Sequence, residues 1–266
     1  MNAIDNIILL FLRHSRKINR KTWQAQNVEE VPEAVMKEML HTTLRFDIVS
    51  DQLDDIARFV KPNQPWVDDH FQERVCGSAI NPGREWKNWP WGHSAESHLN
   101  SQGMFNHNYM ERYWPKYRCH SATQVPADFT RDSSPSGFHG GFGDLNDLIN
   151  HMANNPLTRQ AYLPVWFPED TGDMNSGRKP CTLGYHFIRN EGKLDVVYYI
   201  RSCDVYRHFR DDIYLTIRLL LWIISHLRVH GAWTDVRPGQ FIMHITSLHC
   251  FINDFHQLEK EYGPNQ

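Results

Sequence analysis

The feature that most constrains this chain is a strand–turn–strand–helix run in its C-terminal half. Thr182 to Arg189 and Leu194 to Ile200 are rich in β-branched and aromatic residues, and Asn190-Glu191-Gly192-Lys193 between them has turn chemistry. That predicts a β-hairpin. Asp212 to Val229 follows with helical periodicity and is apolar nearly all round, so a helix here has to be buried. Gly231 is placed to cap its C-terminal end. Leu145, Leu148, Ile149 and Met152 fall at i, i+3, i+4 and i+7 and mark an amphipathic helix that stops near Asn155-Pro156. Ala161 to Phe167 and Phe241 to Ile245 read as strands, and Pro32 to Leu40 as a helix with proline in its first turn. Residues 61–145 are turn-rich, and Ser133 to Gly143 reads as an exposed loop. Strands and helices in this mixed order predict an α+β fold on an antiparallel or mixed sheet.

Composition narrows the function. Of 266 residues, 41% are hydrophobic and 22% charged, enough apolar material for one large core or two small ones. A net charge of -3 argues against a general nucleic-acid binder, which needs clustered cations, and leaves room for a local anion site. The five cysteines, Cys76, Cys119, Cys181, Cys203 and Cys250, are scattered with no CxxC pair, which points to reduced thiols in a cytosol. The apolar run Ile7 to Leu12 is short and followed by its basic residues, unlike a signal peptide. Leu219 to Ile224 falls far short of the ~20 apolar residues that span a bilayer. The chain is therefore expected to be cytosolic, with no membrane or nucleic-acid partner. Sixteen histidines show no HExxH or comparable spacing, so no metal is expected.

Two local patterns carry chemistry. Cys181, in Arg178-Lys179-Pro180-Cys181-Thr182, opens a strand beside two cations, and nearby positive charge favours a nucleophilic thiolate. A buried, inert cysteine would read the same locally. The strand ending in Arg201-Ser202-Cys203-Asp204 places a guanidinium beside a hydroxyl, which suits a phosphate. The plainer alternative is an edge arginine paired with Asp204.

Together these segments resemble a known family. The stretch from Pro180 to Ile223 is similar to the core of thymidylate synthases, with a Pro-Cys nucleophile motif, a hairpin, the Arg-Ser-Cys-Asp-Val signature and a helix bearing the base-reading residue. The spacing from Cys181 to Arg201 agrees without gaps. Asn155-Pro156-Leu157-Thr158-Arg159-Gln160 resembles the family's Asn/Asp-Pro-x-Ser-Arg-Arg segment, and Ser247-Leu248-His249 its late histidine segment. The resemblance is clear over residues 144–255 and slighter over 1–143. It implies a single thymidylate synthase-like domain over 1–266, with a large mixed sheet packed with helices and a homodimer formed through that sheet.

The resemblance also implies roles. Cys181 would add to C6 of a pyrimidine nucleotide. Arg201 and Ser202 would hold the phosphate, with Arg159 supplied across the dimer interface. Gln160 stands where the family has a second arginine. Asp204 would meet the pterin of 5,10-methylenetetrahydrofolate. Tyr109 resembles the active-site tyrosine and His249 the ligand of the sugar 3′-hydroxyl, although Phe251 replaces that histidine's usual tyrosine partner. Glu73 is the candidate acid/base glutamate, with a solvated helix-face residue as the alternative. Trp86 and Trp89 are candidates for folate stacking, with core packing as theirs. The N-terminal phosphate loop is not recognisable, leaving Arg16 and Arg20 as basic candidates. The residues after His249 carry no match to the family's closing C-terminal segment.

Asp212 occupies the position where thymidylate synthases read uracil with asparagine. A carboxylate accepts from cytosine's C4 amino group and, when protonated, donates to N3. Phe209-Arg210-Asp211-Asp212, Thr182 after the cysteine, and Ser247-Leu248-His249 all resemble the phage deoxycytidylate hydroxymethylases. A helix N-terminal aspartate favoured by the helix dipole is the ordinary reading of Asp212 alone. The implied reaction is dCMP, 5,10-methylenetetrahydrofolate and water to 5-hydroxymethyl-dCMP, in the host cytoplasm for a phage-encoded chain. A thymidylate synthase, a dUMP or CMP hydroxymethylase, and a non-catalytic nucleotide-binding homologue are the alternatives.

Overall fold

The computed structural model describes residues 2–19, 21–23, 26–91, 95–115, 143–171 and 177–263. Its helices are α1 (Ala3–His14), α2 (Leu53–Val60), α3 (Trp66–Arg74), α4 (Tyr109–Tyr113), α5 (Leu145–Asn154), α6 (Phe209–Leu227) and α7 (Ile252–Tyr262). Its strands are β1 (Arg16–Ile18), β2 (Thr22–Trp23), β3 (Gln26–Asn27), β4 (Met36–Asp47), β5 (Tyr162–Pro164), β6 (Thr182–Asn190), β7 (Lys193–Asp204) and β8 (Arg237–Phe251). Six of them form one sheet in the order β1-β4-β8-β7-β6-β5. β7 and β8 run parallel and every other neighbour is antiparallel, so the sheet is mixed. The fold is α+β.

The predicted hairpin is β6–β7. Glu191 and Gly192 both take positive φ, 47° and 77°, which matches the two-residue turn whose twist follows the strands. The long apolar helix is α6, the crossover between the parallel strands β7 and β8. Thirteen of its residues from Phe209 to Leu227 are buried, because it lies between the sheet and α2, α3 and α5. In α5, Asp144 and Asp147 form a reciprocal cap that fixes where the helix starts.

Several expectations change. Pro32 to Leu40 is not a helix: a single 3-10 turn spans Pro32–Ala34, and Met36 already belongs to β4. Pairing along β8 outweighs the helix propensity of Met36, Lys37 and Glu38, a weak preference that tertiary contacts override. Phe241 to Ile245 is the middle of a strand of 15 residues. Ala161 to Phe167 shrinks to Tyr162–Pro164, an edge strand ended by a proline with no N–H to offer. Gly231 does not cap α6, which ends at Leu227 with Arg228 still right-handed; it opens a separate 3-10 turn. The turn-rich region holds α3 and α4, hidden by their polar composition. Residues 133–142 of the expected loop lie outside the described residues, as does Cys119.

One face of β7 and β8 is buried, with Leu194, Val196, Tyr198, Phe241, Met243 and Ile245 in the core. Along β6 to β8 the alternate side chains, among them Val197, Tyr199, Ile242 and His244, remain partly or fully exposed. Among the described residues no helix is long and apolar enough to cross a membrane.

Candidate active site

A cavity of about 880 Å³ opens where β7 and β8 end and α6 begins. Carboxyl ends of parallel strands facing a helix N-terminus are a common ligand position, because the strands splay and the helix start carries partial positive charge. Cys181 comes from the start of β6, Arg201 to Asp204 from the end of β7, His208 to Asp212 from the start of α6, and Ser247 to Phe251 from the end of β8. α3 and α4 close the cavity with Trp66, His70, Arg74 and Tyr109.

Cys181 is half-buried on the cavity wall. Arg201 straps the segment before it: Nε donates to the Pro180 carbonyl (2.8 Å) and Nη2 to that of Lys179 (3.1 Å). The Arg201 backbone N–H donates to the Cys181 carbonyl (2.9 Å). The guanidinium therefore positions the cysteine loop, a job the sequence did not suggest. Cys203 also reaches the wall, but burial pushes its thiol well above the ordinary range. Its Sγ donates to Asp212 Oδ2 at 3.6 Å.

Asp212 lies beneath the cavity at the first turn of α6. Burial raises its carboxyl to about 7, against the downward pull of Arg74. Across from it, Tyr109 Oη, Thr182 Oγ1 and Tyr198 Oη form a chain of 2.6 and 2.8 Å hydrogen bonds. Burial pushes both tyrosine hydroxyls far above their usual range, so they stay neutral donors. Asp211, beside Asp212, accepts from Asn63 N–H and Nδ2 at 2.8 and 2.9 Å.

The strand register lines up the far end. Asp204 pairs with His249 across β7–β8, and His249 with Glu38 across β8–β4. His249 Nδ1 sits 3.4 Å from Ser202 Oγ. Ser247 Oγ donates to Glu38 Oε1 at 2.6 Å. Asp204 Oδ1 is already engaged by the backbone N–H groups of Tyr206 and Arg207, both at 3.0 Å, and burial raises its carboxyl. It both shapes the turn and faces the cavity.

The remaining wall is aromatic. Trp66 stacks on His70 (centroids 4.9 Å, 12°) and Trp89 on His208 (5.0 Å, 18°), while Trp86 meets Phe105 edge-on at 5.6 Å. Trp89 Nε1 is buried without a hydrogen-bond partner. An orphaned indole N–H in an aromatic wall suits a flat ligand with ring acceptors, since buried donors are rarely left unpaired without a reason. Trp86, Trp89 and Asp204 thus fit a pterin-type ring.

The structure brings Cys181, Tyr109, Arg201, Ser202, Asp204, Asp212, His249, Trp86 and Trp89 to one cavity. It does not bring Glu73 there. That carboxylate turns to the loop behind α3, where Oε1 accepts from the Arg84 N–H and Oε2 lies 3.8 Å from His70 Nδ1. Arg159 is exposed between α5 and β5, with its carbonyl accepting from His186 Nε2 at 3.0 Å. Arg16 is exposed on β1 and is not part of the cavity lining, and Arg20 lies outside the described residues. Sequence reasoning missed His70 and Arg74, whose signal is their i, i+4, i+8 spacing from Trp66. It also missed Glu38 and Arg207; Arg207 Nε donates to Asp254 at 2.7 Å with its guanidinium over Trp91 and Phe251. Among the described residues no three His, Cys, Asp or Glu side chains are grouped to hold a metal. In comparison with known proteins, the family model described as thymidylate synthase matches residues 81–263.

Proposed function

Because the chain belongs to the thymidylate synthase family, which transfers methyl or hydroxymethyl units to pyrimidine nucleotides, we propose that it hydroxymethylates C5 of dCMP. The observation that carries this reading is Asp212. An asparagine amide offers one donor and one acceptor fixed in place. A carboxyl buried until it titrates near 7 can share one proton with the base, accepting from the C4 amino group and donating to N3.

Trp86, Trp89 and Asp204 would hold 5,10-methylenetetrahydrofolate, which when bound supplies a one-carbon unit at the oxidation level of formaldehyde. The chain's own residues do the rest. Cys181 adds to C6: the S–C bond forms, the C5=C6 π bond opens, and the electron pair is relayed toward N3 as Asp212 gives up its proton there. C5 thereby becomes an enamine-type carbon nucleophile. Arg201 and Ser202 hold the phosphate and His249 the sugar, so the ring meets Cys181 in a fixed pose. After the carbon unit is in place on C5, the C5 proton leaves to water, its electron pair re-forms C5=C6 as the Cys181 thiolate departs, and N3 returns its proton to Asp212. Water reaching the new exocyclic carbon makes the product hydroxymethyl, and hydride would make it methyl.

Arg159 of a second copy would complete the phosphate site. The uncovered face of β6 to β8 supports a homodimer joined through the sheet, in which an exposed Arg159 would reach its neighbour. A uracil-directed reading is favoured by one observation: Arg74 lines the same cavity as Asp212, and a guanidinium can donate to O4 while the carboxylate accepts from N3–H. Release of tritium from C5 of labelled dCMP and dUMP separates the two. Faster release from dCMP that collapses in Asp212→Asn supports the cytosine reading, and faster release from dUMP overturns it.

A further inference from the structure

α3 turns three side chains toward the cavity, Trp66, His70 and Arg74, one per turn of the helix. Arg74 is 4% exposed. Its Nε donates to His70 Nε2 at 2.9 Å, and its guanidinium lies 3.6 Å over the Tyr109 ring. No carboxylate among the described residues makes an ion pair with it. A buried, unpaired cation destabilises a fold by several kcal/mol, so its presence calls for a role. Asp212 lines the same cavity, and Arg74 pulls its carboxyl down as it does that of Asp211, which Asn63 already holds.

The arrangement behind Arg74 is ordered. His70 accepts through Nε2, so its proton sits on Nδ1, which points toward Glu73 Oε2 at 3.8 Å. Burial and Arg74 hold this imidazole down at about 4, so it is a neutral acceptor across the working range. His70 orients Arg74 through this hydrogen bond, while its own Nδ1 and the Glu73 Oε2 facing it lie beyond hydrogen-bond distance. The carboxylate expected to act directly on substrate stands two side chains behind the group that faces the cavity.

We propose that Arg74 is an electrostatic positioning residue that stabilises the carboxylate left on Asp212 when its proton passes to the pyrimidine, with His70 fixing the guanidinium. The charges balance. Before addition there are a Cys181 thiolate, a neutral base, a protonated Asp212 and cationic Arg74. Afterwards there are a thioether, a neutral enamine, an Asp212 carboxylate and the same cation. Without Arg74 the transfer would leave an unpaired negative charge in a buried site. The kinetic half of this inference rests on the cytosine reading above; the Arg74–Asp212 coupling does not. The titratable and charged groups facing Asp212 are Arg74 from α3, Tyr109 and Tyr113 from α4, Tyr198, Cys203 and Asp204 from β7, and Asp211 on its own helix. Arg74 is the only cation among them.

The test uses the full-length protein and Arg74→Met, Arg74→Lys and Asp212→Asn. Carbon-13 NMR of labelled aspartate, assigned by the signal missing in Asp212→Asn, follows the Asp212 titration without any nucleotide. Arg74→Met should raise the midpoint by about 1–3 pH units, the usual effect of removing an opposite charge at this range. Arg74→Lys keeps the charge and should leave the midpoint within about half a unit. An unmoved midpoint in a folded Arg74→Met protein overturns the proposal. The second readout is C5 tritium release from dCMP across pH. Arg74→Met should lower the maximal rate at least tenfold at unchanged dCMP KM, with partial rescue in Arg74→Lys, whereas an unchanged maximal rate also overturns the proposal. Wild-type protein inert on dCMP but with the midpoint shift intact would sink the cytosine reading and keep the coupling.

Discussion

At the scale of single residues the account turns on a few buried polar groups. Asp212 is folded with its carboxyl raised to about 7 from an ordinary value of 3.8. Between those values the native state holds a proton that the unfolded chain has released, so native stability is greatest at low pH and is lost as pH rises toward 7. Above that, both states are ionised and the native state carries a buried charge. Asp212→Asn removes this penalty, and thermal unfolding should show it stabilised at pH 8 by on the order of 2–4 kcal/mol relative to its effect at pH 4. The opposite trend would mean that Asp212 is solvated. Thr182 bridges two tyrosine hydroxyls, and Thr182→Val should cost about 1–3 kcal/mol in denaturant unfolding by leaving buried donors unpaired. The placement of these residues in one cavity was unevenly legible. Cys181, Arg201 and Asp212 are fixed by spacing along continuous strands and one helix, which the sequence displays. Arg74 and His70 are not, because a polar residue on a short, mostly polar helix looks solvated until the helix is docked.

At the scale of elements, local chemistry shows where the sequence spoke plainly. The β6–β7 turn needs positive φ at two successive residues, and Gly192 supplies one of them at no steric cost. Gly192→Ala should destabilise the protein by about 1 kcal/mol, read from the urea midpoint, with little effect on tritium release. β4 shows where the sequence misled. Its first residues are good helix formers, and only the neighbouring strand β8, two hundred residues away in the chain, decides their conformation. No local window contains that information. The Arg201 strap is similar: a phosphate ligand in the sequence reading also ties β7 to the carbonyls before Cys181. Arg201→Lys keeps a charge but not the fork that spans two carbonyls, so it should lower the maximal rate as well as phosphate affinity.

At the scale of the whole molecule, one mixed sheet sets both the cavity and the surface opposite it. The helices on one side gather Cys181, Asp212 and His249 at the ends of β6, α6 and β8. The other face presents Val197, Tyr199 and Ile242, partly exposed, and His244, exposed, the surface proposed above for a second copy. Mixing Cys181→Ala with Arg159→Ala should therefore restore activity that neither variant has alone, because one site in the mixed dimer receives both residues; continued inactivity of re-equilibrated mixtures would count against a shared site. The architecture was legible because hairpin, buried helix and returning strand leave few ways to close a core. Its length in β4 and β8 was not, because strand ends are set by partners. The most direct test of the central claim is to incubate the protein with 5,10-methylenetetrahydrofolate and dCMP, dUMP or CMP and weigh the products. dCMP alone should gain one CH2O unit, and Cys181→Ala should give none. A gain on dUMP alone, or a CH2 gain in place of CH2O, would contradict it.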